Sequence, residues 1–292
     1  MRRQLKARAV PLLIVLTILA GIGAGCAPPA DAELAVHFLD VGQGDAILIR
    51  LPGGHHLLID TGPDPERILG HLRRHGVRAL EAMVLTHPHH DHIAGAEAVL
   101  AEFPVAVVYD SGRPHTTRTY ERLLEALRRP VEEGRTRFIL ARAGMDLPLP
   151  PPLPPSPPVH LHVLHPTDRV EELSINDASI VLRLAHGEVS FLFTGDIERE
   201  AEERLVREAE VLSADLLKVA HHGSRTSTTA RFLDRVGPLV AVISSGPNPY
   251  GHPHREVLER LAAAGVEVYD TRERGTVTVF SDGARYRIRS ER

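Results

Sequence analysis

The sequence predicts an α/β fold in two halves, and three observations carry that expectation. Apolar runs rich in Val, Ile and Leu alternate with stretches of helical spacing; a proline tract at residues 148–158 interrupts the alternation; and in each half the polar clusters fall where an apolar run ends. Ends of strands are where α/β folds collect ligand-binding loops.

In chain order, "AVHFLDV" and "DAILIRL" read as strands by their branched apolar content, and "HHLLIDTG" as a third that ends in a turn. "PERILGHLRRHG" has helical spacing and stops at Gly76, and "LEAMVLT" is a strand leading into "HPHHDH". "IAGAEAVLAEF" then reads as one helix, "VAVVYD" as a strand and "YERLLEALRR" as a helix. The tract "PLPPPLPPSPP" has eight prolines in eleven residues, which excludes hydrogen-bonded structure and makes it a surface connection between the halves. Beyond it, "SIVLRLAHGEVSFLFTGD" is a β-hairpin turning at His186, Gly187 and Glu188, and "REAEERLVREAE" is a helix. "ADLLKVAHHGS" is a strand ending in two histidines, "LVAVISSG" a strand and "HREVLERLAAAG" a helix. "VEVYDT", "GTVTVFSDG" and "ARYRIR" are closing strands.

The first residues have a different character. Arg2, Arg3, Lys6 and Arg8 precede an uncharged apolar run that ends in "GAGCAPPADAE", the pattern of an export signal and short for a transmembrane span. Cys26, the only cysteine, follows small residues as in a bacterial lipobox, although Gly23 stands where leucine is usual. The expectation is a signal over residues 1–26, lipid on Cys26, a short tether over 27–33, and a protein held at the outer face of the bacterial cytoplasmic membrane. Ordinary cleavage nearby and an uncleaved anchor are the alternatives. Loss of the segment removes four cations and no anions, taking the formal net charge from −4 to −8. A polyanion would then need local attraction, which argues against tight nonspecific nucleic-acid binding.

Chemistry concentrates in "LTHPHHDHIAG". On extended chain, residues two apart point the same way, so His87 and His89 can serve one metal ion, while Asp91 and His92 sit where a helix begins and face a second. Zinc accepts imidazole nitrogen and carboxylate oxygen together, and a catalytic site keeps a position for water. Asp196 in "FTGD" follows an apolar strand and is placed to bridge two ions; His221 and His222 in "KVAHHGS" arrive the same way, one of them as a ligand.

This set, with Asp60 in "LLIDTG", resembles the metallo-β-lactamase fold hydrolases. "DVGQGDA", "HHGSRTS" and "NPYGHPHREVLERL" resemble, more narrowly, the C-terminal extracytoplasmic domain of the ComEC DNA-uptake proteins. The resemblance implies a four-layer αβ/βα sandwich over residues 34–290, with a di-metal site at one edge of its two sheets. Asn176 in "SINDAS" stands where many superfamily members have a third histidine for the first ion, as in the ComEC-like relatives. That ion would hold His87, His89, Asp196 and at most a weak amide oxygen, so manganese competes with zinc; His165 is the alternative imidazole.

Two divalent ions, Asp91, Asp196 and a hydroxide leave one net positive charge, which suits an anionic phosphodiester. Metal coordination brings the pKa of water from near 16 to about 7. Asp91 and Asp196 are thus catalytic as well as ligating. Asp60 is expected to orient a ligand histidine, and His252 to donate a proton or, with His254, bind phosphate at a helix start. Gln43 and Asp45 are candidate pocket residues, and "SGRPHTTR" with Arg113 and Arg118 a candidate basic rim. Three readings follow: a phosphodiesterase acting on nucleic acid, a hydrolase of small phosphodiesters or lactones, and a lipid-anchored metal-binding accessory protein. Aromatic content of 4% without tryptophan offers little base-stacking surface.

Overall fold

The computed structural model describes residues 33–292 apart from 152, 153, 155 and 168. Cys26, the signal and all of the tether except Glu33 lie outside the described residues. The first half comprises β1 (Leu34–Phe38), β2 (Ile47–Arg50), β3 (His56–Ile59), α1 (Pro65–Arg74), β4 (Ala82–Leu85), α2 (His90–Ile93), α3 (Ala96–Glu102), β5 (Val107–Asp110), α4 (Arg118–Glu132) and β6 (Arg137–Leu140). After the proline tract come β7 (Val159–His165), β8 (Val181–His186), β9 (Val189–Phe193), α5 (Arg199–Glu208), β10 (Leu216–Lys218), α6 (Ala230–Val236), β11 (Val240–Ile243), α7 (Arg255–Ala263), β12 (Glu267–Asp270), α8 (Thr271–Arg274), β13 (Val277–Ser281) and β14 (Tyr286–Ser290).

The strands make two mixed sheets. One runs β14-β13-β1-β2-β3-β4-β5-β6 and the other β12-β11-β10-β9-β8-β7. The last two strands of the chain return to the first sheet, where β13 pairs with β1 from Leu34↔Ser281 to Phe38↔Val277. Period-two alternation then sorts side chains into three apolar layers. Val36, Phe38, Ile49 and Val84 meet Leu182, Phe191, Phe193 and Val242 between the sheets. Leu48, Met83 and Val108 face Ile68, Val99 and Leu123 of α1, α3 and α4. Leu192, Leu217 and Ile243 face Leu205, Phe232 and Leu261 of α5, α6 and α7. Helix, sheet, sheet and helix are therefore the four layers of the expected sandwich. Strands buried on both faces read as continuous apolar runs, which is why β4 and β9 were legible in sequence.

Some elements depart from expectation. The helix anticipated after the histidines is two, α2 and α3, broken at Gly95, where a side chain would collide with Thr61 O at 2.7 Å and Ile68. β6, β7, α6 and α8 have no counterpart in the sequence reading: three are short, and β7 alternates apolar residues with histidines directly after the prolines. The hairpin turn is as expected, closing with His186 opposite Val189. The described residues of the proline tract hold no strand or helix, and Leu149 packs against the inner core.

Parallel pairing sets the position of the site. β3, β4 and β5 run parallel in one sheet, as do β9, β10, β11 and β12 in the other, so each set delivers its C-terminal ends to one edge. A backbone bond from Ile180 N to Thr86 O, 2.9 Å, ties the two edges together beside the histidine cluster.

Candidate metal centre

The segment after β4 is held before it carries any function. Asp60, at the end of β3 with φ 56°, accepts from Thr86 N at 2.8 Å and Thr86 Oγ1 at 2.7 Å, and from His92 Nδ1 at 2.7 Å. A left-handed, fully buried aspartate is a strained choice, and here it fixes the imidazole of His92 with Nε2 pointing away. Thr61 N and Thr61 Oγ1 both donate to His92 O. Gly44 lets the 39–46 loop press on the same segment: at φ +147° a side chain there would lie 2.3 Å from Asp91 O.

Asp196 Oδ2 is the hub of what converges. It lies 3.3 Å from His92 Nε2, 3.5 Å from His222 Nε2, and 3.8 Å from both His87 Nε2 and His221 Nε2. His222 Nε2 is also 3.3 Å from Asp91 Oδ2. Asp91, His92, Asp196 and His222 each bring a donor atom within 4.8 Å of the others, a set that could hold a metal ion. His87 Nε2 and His89 Nδ1 face each other at 2.9 Å, close enough to share one ion, while Nδ1 of His87 meets Thr86 Oγ1 and Ser179 Oγ, each at 3.2 Å. Ser179 Oγ also accepts from Asp196 N.

The electrostatics favour bound cations. Burial opposes charging His92 and His222, but Asp196 and then Asp60 for His92, and Asp196 and then Asp45 for His222, outweigh it and raise both imidazoles well above the usual range. Burial would lift the Asp196 carboxyl, yet His222 and His92 hold it well below the ordinary carboxylate value. His87, by contrast, is pushed well down by burial and by His92. A divalent ion and a proton compete for the same nitrogens. The donor set also fits a metal by its loose ends: His92 Nε2, His222 Nε2 and Asp196 Oδ1 are buried without a hydrogen-bond partner, an arrangement native proteins reserve for groups with another task.

Of the two adjacent histidines, His222 joins the four-donor set, and its Nδ1 donates to Ser244 O at 2.9 Å. His221 lines the pocket beside it but is outside that set, with Nδ1 3.5 Å from Glu198 Oε1. Both hold left-handed backbones, φ 52° and 53°. His252 lines the pocket and is lowered to about 4 by burial and by His221, so it is neutral near pH 7. Gln43 lines the pocket, but Asp45 does not: it is enclosed behind His222, 3.3 Å from Nδ1, and accepts from Lys218 Nζ at 2.6 Å. Asn176 is not among the lining residues; its Oδ1 is buried without a partner, and its side chain bonds Glu198. His165 is engaged elsewhere, with Nε2 2.6 Å from Asp177 O. His254 precedes α7 and accepts from Arg225 N at 3.2 Å. From the expected basic rim, His115 and Thr117 line the pocket, whereas Arg113 Nε donates to Leu173 O.

Sequence reasoning missed Thr86, Ser179, Glu198, Lys218 and Tyr250. Lys218 left the clearest signal, as a lone charge inside "LLKVA". The others are polar or aromatic residues next to motif positions, with nothing in their spacing to mark them.

Comparison with known proteins places the chain in a family. A model described as the Metallo-beta-lactamase superfamily matches residues 39–246. The chain is 31% identical over 274 residues to ComE operon protein 3 of Bacillus subtilis, covering 86% of this chain and 33% of that protein. It is 33% identical to Recombination protein 2 of Haemophilus influenzae, covering 84% and 28%, and 33% identical to Competence protein ComA of Neisseria gonorrhoeae, covering 82% and 31%. The chain thus spans about a third of the length of these relatives. Among solved structures, Igni18, described as a novel metallo hydrolase from Ignicoccus hospitalis, aligns with TM-score 0.51 at 16% identity, over 84% of this chain and 98% of that one.

Proposed function

Because the chain belongs to the metallo-β-lactamase superfamily of metal-dependent hydrolases, we propose that it is an extracytoplasmic phosphodiesterase acting on nucleic acid with two divalent ions, zinc or manganese. The observation that carries this reading is Asp196 Oδ2 standing between the Asp91/His92/His222 set and the His87/His89 pair. Asp91, His92, Asp196 and His222 would hold one ion, and His87, His89 and Asp196 the other. Such ions, when bound, supply Lewis acidity and a water acidic enough to lose its proton near neutral pH.

The chain's own groups account for the rest. Asp60 and Ser244 O fix the tautomers of His92 and His222, so that each turns Nε2 inward. Burial of His87, His92 and Asp196 lowers the local dielectric behind the cavity floor and strengthens charge interactions there. His252, neutral and beside His221, is positioned to receive or relay a proton or to donate a hydrogen bond to a phosphoryl oxygen. The resemblance to the ComEC DNA-uptake proteins, and the name Recombination protein 2 of one relative, support a nucleic-acid substrate, while the acidic net charge, −4 for the whole sequence and −8 without the first 26 residues, favours a small phosphodiester.

A panel of chromogenic phosphodiesters, lactones and single- and double-stranded DNA, assayed with zinc and with manganese, tests the proposal. Single-stranded DNA is expected to be cut. Turnover of lactones or small diesters alone would replace this reading with the second.

A further inference from the structure

Tyr250 is the most exposed of the large apolar side chains among the described residues, at 65%, and it lines the mouth of the cavity, about 380 Å³, whose floor is Asp91, Asp196 and His222. Its ring is tilted 33° to that of His252, with centroids 5.7 Å apart. No other Phe or Tyr lines this cavity.

The loop that presents it is braced. Asn248 Nδ2 donates to Gly246 O and to His252 O, each at 2.8 Å, while Oδ1 accepts from Tyr250 N at 3.1 Å and His252 N at 3.0 Å. Gly246 N donates to Gln43 Oε1 at 3.2 Å, joining this loop to the 39–46 loop, and the two backbones are so close that a side chain at 246 would lie 2.5 Å from Gln43 N. One asparagine therefore spends its whole amide on bracing the backbone that carries this exposed ring. A ring whose backbone is fixed before binding loses less freedom when a ligand covers it, which is how rigid aromatic anchors contribute affinity.

With divalent ions held by Asp91, Asp196 and His222, as the proposed function has it, a ligand that fills this cavity would bring an anionic group to the floor and a flat, apolar-faced ring to the mouth. Resting on the reading of the site as a phosphodiesterase, we propose that Tyr250 is its base-stacking subsite: an unpaired nucleobase adjoining the scissile phosphodiester lies on the phenol ring. Stacking of this kind tolerates any base, because every base has a π-face, and it requires a base freed from its partner strand. The subsite would thus favour single strands or frayed ends over intact duplex, without reading sequence.

The test compares an oligothymidylate with an abasic deoxyribose-phosphate oligomer of equal length, both phosphorothioate-linked to suppress cleavage, with binding followed by fluorescence anisotropy on the full chain. The wild type is expected to favour the base-bearing strand by roughly tenfold, the scale of one stacked base. Tyr250→Phe keeps that preference, and Tyr250→Ala loses it while binding the abasic strand as before. Equal binding of both strands by the wild type, or a preference that survives Tyr250→Ala, overturns the subsite. Loss in Tyr250→Phe as large as in Tyr250→Ala overturns it too, since the hydroxyl and not the ring would then be at work. Cleavage assays on phosphodiester-linked versions separate the two claims. Equal cutting of both strands leaves the phosphodiesterase reading standing and removes the subsite; no binding and no cutting of either removes both.

Discussion

Lys218 ends β10 with 1% exposure, donating to Asp45 Oδ2 and to Val219 O. Burial alone would raise the Asp45 carboxyl, but Lys218 and then His222 outweigh it and hold it at about 2. Beneath the proposed metal ligands there is thus a buried ion pair, whose negative end faces His222. Removing one partner of such a pair strands the other charge, at a cost of about 3–5 kcal/mol. Lys218→Met is therefore expected to lower the stability of the metal-free protein by that amount in urea unfolding, and Lys218→Met with Asp45→Asn to recover most of it. A double variant as unstable as the single would mean that Lys218 acts by packing alone. At this scale the sequence was legible where chemistry demanded unusual density, as in His87 to His92, and silent where a residue works through a neighbour. Asp45 could be read as a pocket residue because its glycine-flanked turn is visible; that it lies behind His222 follows from Lys218, which is far from it in the chain.

β1, β13 and β14 show what distinguishes one end of the first sheet. The outward side of β1 there carries His37, whose Nδ1 meets Thr278 Oγ1 at 2.9 Å and whose ring lies 4.2 Å from that of His75, while Arg287 covers the Phe280 ring at 3.9 Å. Burial first, then His75, Arg50 and His56, lowers His37 to about 3; burial, then Arg50 and His75, lowers His56 to about 4. A histidine depressed in the folded state binds its proton more readily when unfolded. The stability it lends is therefore complete above pH 6.5 and is lost as pH falls from there toward the folded values. His37→Gln is expected to lose about 2 kcal/mol less than the wild type between pH 6.5 and 5, from about 1.4 kcal/mol per pH unit for one proton. Urea titrations of the metal-free proteins at the two pH values check this, and identical losses would contradict it. Elements of this kind divide by legibility. β4 and β9, buried on both faces, announce themselves as apolar runs, whereas β7 with its alternating histidines and the seven-residue α6 are specified by what packs on them.

Over the whole molecule, two mixed sheets bring their parallel strand ends to one edge, and the donor atoms of both halves meet at Asp196. No helix among the described residues is long and apolar enough to cross a membrane. The location of the protein is a proposal from the first residues: with lipid on Cys26 it stays with the membrane fraction, and Cys26→Ala is released or left unprocessed. Wild-type protein found free in the cytoplasmic fraction would contradict that. The class of fold was open to sequence reasoning because strands and helices alternate; the choice of His222 over His221 was not, because it turns on two consecutive left-handed residues whose directions only the folded loop defines. The central claim is that Asp196 joins two metal sites into one center. Its most direct test is metal analysis of Asp196→Ala beside the wild type and His252→Ala, all purified alike. The account predicts two ions per chain in the wild type and in His252→Ala, with turnover in the latter slowed by about 10² to 10⁴, and loss of metal together with all hydrolysis in Asp196→Ala. Retention of both ions and of wild-type activity by Asp196→Ala would contradict it.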